Sequence, residues 1–406
     1  MKTLTRLRKL SLAALVILLV VSGGVSPAKQ NEASRVEPEQ GEAPKIEAEQ
    51  GDLPRIENAK VERRNVTGTL ADVMADLEKN ATSPVWVGFL MPAAAGQRTT
   101  CCGNDSDSTG PWCGKCLLET DGKERSGQKA GHGGIGDHKN LDSGANQGIL
   151  RLEGGQRLIV LFRLQDKHVT RMALASEECV LAAGGLPFIW LTGVKTLDSV
   201  AFLSGYVREG FANGGEKRSL GNEALTAIAR HYGQEAEGAL ESFTAPAQPE
   251  ELRKQAAFWL GAARGKDGFT ALQRMARKDP STEVRAHVAF ALSISKEPAA
   301  LEEVIRMAHD DASGHVRGQA IFWLAQKAGK RAVSAIDNAI ASDPDTDVKK
   351  RAVFALSQLP KDEGVPKLIE VAENNRNPEV RKQAMFWLGQ SQDPRALSFF
   401  EKVLLK

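Results

Sequence analysis

The sequence predicts a mainly α protein, an α-solenoid of stacked helical hairpins over residues 216–406 behind a smaller, strand-rich mixed α/β domain. Two observations carry this. An eleven-residue apolar motif returns every 32 residues from Glu251 onward, and the apolar runs before it have the length and alternation of strands. A chain of 406 residues also exceeds what one ordinary core accommodates, so partition is the starting expectation.

Taken in order, residues 1–28 carry Lys2, Arg6, Arg8 and Lys9, an apolar run from Leu10 to Val21, and small residues up to Ala28. That is the order of a secretory signal peptide, and the run is shorter than the roughly 18 residues of a spanning helix. The expectation is an exported protein, periplasmic or secreted, with no stable membrane span after cleavage. Residues 29–64 hold two imperfect decamers, from Arg35 and from Lys45, rich in Pro, Gly and Glu. Such a segment buries too little to offset chain entropy and reads as a disordered linker.

Residues 65–215 read as a cysteine-containing mixed α/β domain. A helix is expected near Thr69 to Lys79, strands at the runs starting with Val85, Arg157, Val169 and Pro187, and a helix from about Thr196 to Arg208. Gln165 to His168 would close a hairpin. Residues 93–147 lack apolar periodicity and read as a flexible loop.

Four cysteines fall in that loop, Cys101, Cys102, Cys113 and Cys116, with Cys179 apart. In an exported chain this cluster reads first as structural disulfides. Zinc, held by the cysteines or by a mixed set with His132 and His138, is the open alternative. Trp112 to Cys116 reads WCGKC, which is similar to the thioredoxin WCGxC motif. The strand before it and the helix after it, which lower a thiol pKa there, have no counterpart in the pattern. His168, His231, His287, His309 and His315 are dispersed, and no catalytic constellation appears; His287 and His315 read as solvated polar residues.

The repeats are ELRKQAAFWLG from Glu251, EVRAHVAFALS from Glu283, HVRGQAIFWLA from His315, DVKKRAVFALS from Asp347 and EVRKQAMFWLG from Glu379. Each is followed by a second helical stripe, so each unit is a helical hairpin that must shelter its apolar faces against its neighbours. A diverged unit with Leu220, Ile228 and Ala239 in phase precedes them. Asp279, Asp311, Asp343 and Asn375 stand before the first helices, with Glu283, His315, Asp347 and Glu379 in the cap region. These VRxxAxxAL-like and DPRALxFFE-like strings resemble HEAT repeats of the short type described in phycobilisome lyases. The resemblance implies a right-handed superhelix used for protein–protein association. It also implies a structural ladder pairing the repeated acid with Arg253, Arg285, Arg317, Lys349 and Arg381. It does not imply lyase activity.

An aromatic row departs from that pattern, with Phe258, Phe290, Phe322, Phe354 and Phe386 joined by Trp259, Trp323 and Trp387 in alternate units. Two readings stand side by side: a recognition stripe for a partner, or packing between units. A net charge of +2 supplies no basic field for nucleic acid. The sequence therefore favours a scaffold or adaptor binding another protein over an enzyme. The alternative is an extracytoplasmic thiol-redox or metal-binding enzyme whose N-terminal domain acts while the repeats recruit substrate.

Overall fold

The computed structural model describes residues 53–94, 115–119, 156–327 and 330–405. The signal segment, most of the linker, and Cys101, Cys102, Cys113, His132 and His138 lie outside the described residues. The architecture is mainly α, with helical repeats following a strand-rich N-terminal region.

Eight strands form two sheets among the described residues. β1 (Ile56–Glu57), β7 (Val180–Ala182) and β4 (Lys115–Leu117) make a parallel three-stranded sheet in the order β1-β7-β4. β2 (Val61–Asn65), β8 (Phe188–Thr192), β3 (Val85–Pro92), β5 (Arg157–Gln165) and β6 (His168–Ser176) make a five-stranded sheet in that order. Its β2, β8 and β3 run parallel, while β5 is antiparallel to β3 and to β6. The β5–β6 hairpin closes as expected, with Asp166 and Lys167 both at positive φ, 53° and 65°. That backbone twist matches the strands it joins.

The central strands β3 and β5 are buried on both faces, which is why they read as continuous apolar runs. Leu158, Val160, Phe162 and Leu164 face one core with Phe89, and Ile159 and Leu161 face the other with Trp86, Phe188 and Trp190. The second core is closed by Leu118, Leu181, Cys116 and Cys179 around the smaller sheet. The first is closed by α1 (Leu70–Asn80), which a Thr69–Asp72 capping box starts, and by α2 (Thr196–Asn213).

Three elements depart from expectation. β1 and β2 lie inside the segment read as linker, and β4 lies inside the segment read as a loop. Their partners, Leu181, Phe188 and Val180, sit more than a hundred or sixty residues away, so no local periodicity announces them. α2 runs on to Asn213 because Gly210 crosses Gly221 of α3 (Gly215–Arg230) at backbone distance; a Cβ on Gly210 would lie 2.4 Å from Lys217 O.

The solenoid follows. The diverged unit is α3 with α4 (Gln234–Ser242). Five in-phase hairpins continue it: α5 (Glu250–Ala263) with α6 (Gly265–Lys278), α7 (Thr282–Ile294) with α8 (Ala300–Asp310), and α9 (Gly314–Lys327) with α10 (Lys330–Ser342). The last two are α11 (Thr346–Ser357) with α12 (Lys361–Asn374), and α13 (Pro378–Gln390) with α14 (Pro394–Leu404). Leu252, Val284, Val316, Val348 and Val380 are all fully buried, as the 32-residue phase requires. The core is continuous from Leu70 in α1 to Phe399 in α14. Sheet and solenoid are stitched by backbone: Ala94 N–H donates to Arg230 O at 2.8 Å and Tyr232 N–H to Pro92 O at 2.9 Å. Arg264 secures the same turn, donating to Ile228 O and His231 O at 2.9 and 2.7 Å.

Candidate functional site

Three first helices of the solenoid, α5, α7 and α9, are held to the next unit by an arginine at their fourth residue. Arg253 forms a fork to both oxygens of Asp279 at 3.0 and 3.1 Å, Arg285 to Asp311 at 2.8 and 3.0 Å, and Arg317 to Asp343 at 2.7 and 3.0 Å. The other end of each guanidinium satisfies carbonyls of the loop before its own helix, for example Arg317 to Asp311 O at 2.8 Å. Both members of the first and third pairs are buried, and Arg285 keeps only 14% of its side chain exposed beside buried Asp311, so geometry and full satisfaction decide whether such a pair holds. Burial alone would raise Asp311, but the bonds from Arg285 and from Ser313 N–H win and hold its carboxyl below the usual range. The implied ladder thus exists at three joints. At the fourth, Lys349 donates to Ala341 O instead and Asn375 replaces the acid.

The caps also sit elsewhere than expected. Ser281, Asp345 and Asn377 are the N-caps of α7, α11 and α13. Glu283, Asp347 and Glu379 fall inside the helices, while Asp279, Asp311, Asp343 and Asn375 accept the backbone N–H two residues on. Their short side chains close the turn before the helix.

A second ladder, absent from the sequence reading, runs along the second helices. Arg274 pairs with Glu241 at 2.6 Å, Arg277 with Glu303 at 2.8 Å, and Arg331 with Glu302 at 2.5 Å. Lys367 pairs with Asp337 at 2.5 Å and Lys402 with Glu373 at 3.3 Å. Every successive joint has one such pair. Each joins positions 26 to 33 residues apart, a spacing that charge patterning within one helix does not test. Glu303 is the buried exception; desolvation is outweighed by hydrogen bonds from Arg277 and Arg306, and its carboxyl stays low.

The aromatic row forms one unbroken line. Phe258 meets Trp259 at 5.1 Å and stacks on Phe290 at 6.1 Å; Phe290 meets Trp323 at 4.6 Å. Trp323 meets Phe322 at 5.0 Å, Phe322 stacks on Phe354 at 6.2 Å with planes 2° apart, Phe354 meets Trp387 at 4.9 Å, and Trp387 meets Phe386 at 5.0 Å. The rings therefore do fill the joints. They also stay half-buried through the array, and Phe386 is 54% exposed. Packing between units therefore accounts for part of this row, and the rest of its surface stays open.

His287 is not a solvated residue. It packs edge-on against Phe290 at 5.5 Å, and burial first, then Lys254, push it down to about 4. His315 does lie at the surface beside Glu283 at 3.4 Å. His231 is fully buried; its Nδ1 faces Ala227 O and its Nε2 faces Ser199 Oγ, both at 2.9 Å. The carbonyl can only accept, so Nδ1 carries the proton and Nε2 accepts from the serine. Burial, chiefly, lowers this imidazole to about 4. With Ser199 also fully buried, the pair is a structural plug at the sheet–solenoid seam.

Cys116 and Cys179 are both buried in the second core, and neither is a free thiol. Cys116 stands opposite Leu181 in the β4–β7 register, with Cys179 just before β7. Among the described residues no group of three His, Cys, Asp or Glu side chains is placed to hold a metal ion, and no helix is long and apolar enough to cross a membrane.

Comparison with known proteins bears on the repeats. No curated protein matches the chain. Solved structures with some likeness include the CpcE–CpcF complex of phycocyanin lyase from Nostoc sp. PCC7120, 20% identical with a TM-score of 0.31, covering 38% of this chain and 98% of that one. Human deoxyhypusine hydroxylase in complex with glycerol is 16% identical, TM-score 0.25, covering 51% and 90%. YibA of Escherichia coli is 22% identical, TM-score 0.34, covering 53% and 82%. The family model described as HEAT repeats matches residues 237–325 and 333–406, the stretch in which the three inter-unit rows lie. Over those residues the C-terminal region of this chain is similar to HEAT repeats.

Proposed function

We propose that the protein is an exported scaffold or adaptor that binds another protein through the first-helix face of its HEAT array. The observation that carries this reading is the aromatic row, eight rings in continuous contact that keep part of their surface open across five units. A joint needs filling, but filling it does not require Phe and Trp edges at the surface, and such side chains are enriched where partners dock. Export is supported by the charged, apolar and small-residue order of residues 1–28. The buried, engaged Cys116 and Cys179 support a cystine-stapled N-terminal domain over a reactive thiol site.

The test is a footprint. The full chain captures its partner from an envelope fraction, and hydrogen exchange is compared with and without that partner. Protection is expected over α5, α7, α9, α11 and α13. Protection confined to the strands of residues 53–192 would overturn the assignment of the face.

A further inference from the structure

The in-phase units meet at four joints, and the last is built differently from the rest. Three joints carry the buried Arg–Asp fork. At the joint between residues 346–374 and 378–404 both partners are exchanged, Lys349 for arginine and Asn375 for aspartate. Lys349 Nζ turns back to Ala341 O at 3.1 Å, and the Asn375 side-chain oxygen takes the Asn377 N–H at 2.9 Å. The polar links left across this joint are peripheral: Asn377 to Thr346 Oγ1 at 3.0 Å, Arg395 to Lys361 O at 2.9 Å, and the surface pair Lys402–Glu373. A surface pair contributes little.

A second observation points to the same place. Trp387 inserts its ring against Phe354 at 4.9 Å, yet its indole N–H is buried with no acceptor. A buried donor without a partner is a cost that opening relieves. Trp323, the corresponding ring two units earlier, carries no such orphan.

We propose that this joint is a built-in weak link, at which the hairpin 378–404 opens from the array as a unit while the joints before it stay closed. Neighbour contacts set the stability of each unit in a solenoid, so loss of one rung weakens one joint selectively. Opening would free the face of α11 that carries Phe354, giving the array an aromatic surface present in the open state only. The idea stands independently of which partner the solenoid binds.

The test is hydrogen exchange of the full chain, read by mass spectrometry, for the natural protein and for Lys349→Arg/Asn375→Asp, which restores the fork. In the natural protein α13 should exchange faster than α11, and in the restored variant α13 exchange should slow about tenfold or more, the size expected for a charge-assisted bond. Unchanged exchange of α13 in the restored variant would reduce the effect to ordinary end fraying and overturn the proposal, as would equal rates for α11 and α13 in the natural protein. Arg317→Lys/Asp343→Asn supplies a second reading by transplanting the weak joint one unit earlier, so that residues 346–404 should then open together; the same opening boundary as before would count against the proposal.

Discussion

Arg317 shows how one side chain joins three pieces of chain: its own helix, the loop before it through Asp311 O, and the next unit through Asp343. With Arg317 and Asp343 only 9% and 5% exposed, removing one partner leaves a buried charge uncompensated. Asp343→Ala should therefore cost about 3–5 kcal/mol in urea unfolding, whereas the apolar pair Arg317→Met/Asp343→Leu should cost much less. Equal losses would contradict the role given to the fork. His231 supplies a pH dependence of definite sign. Unfolded it titrates near 6.5 and folded at about 4, so between those values the unfolded chain takes the proton first. Stability should be intact above 6.5 and fall as the pH drops toward 4, by on the order of 3 kcal/mol for this group. His287 adds in the same direction. A flat urea midpoint between pH 7 and 4.5 would count against both assignments. Residue types at these positions were readable in the sequence, but burial was not. His287 looks like a polar-face residue until Phe290 is placed against it.

Among elements, the solenoid helices were legible because their burial pattern is local and repeated: Val284, Val288, Ala291 and Leu292 lie on one stripe of α7, and all are buried. β1, β2 and β4 were not, because what makes VERRN or KCL a strand is a partner far along the chain. The aromatic row was visible as a pattern, but its packing across the joints was not, since ring-to-ring distances between units decide it. The second-helix ion-pair row was hidden because its partners lie about one repeat apart. A single helix offers a clean test of how sequence sets packing. In α2, Gly210 meets Lys217 O and Gly221 at backbone distance, whereas a Cβ on exposed Gly205 meets nothing within 4 Å. Gly210→Ala should destabilise by about 1–3 kcal/mol through overpacking, and Gly205→Ala should stabilise by roughly 0.5–1 kcal/mol through helix propensity. Thermal melts of the two variants read this directly, and a shift of the same sign in both would contradict the crossing.

The described residues form a strand-rich region whose core runs without a break into the helical repeats. The second-helix ion pairs and the aromatic line tie each in-phase hairpin to the next, and the Arg–Asp forks add a third row at the first three joints. The aromatic line exists because the hairpins stack in register, and its open side is the face proposed above for a partner. The decisive measurement is therefore a truncation series ending at residues 374, 342 and 310, with helicity and urea midpoint followed by circular dichroism. Nearest-neighbour stacking predicts that helicity falls by about one hairpin per step while the remaining units stay folded and the midpoint declines gradually. Collapse of all helicity on removing the last hairpin, or a midpoint indifferent to the number of units, would contradict it.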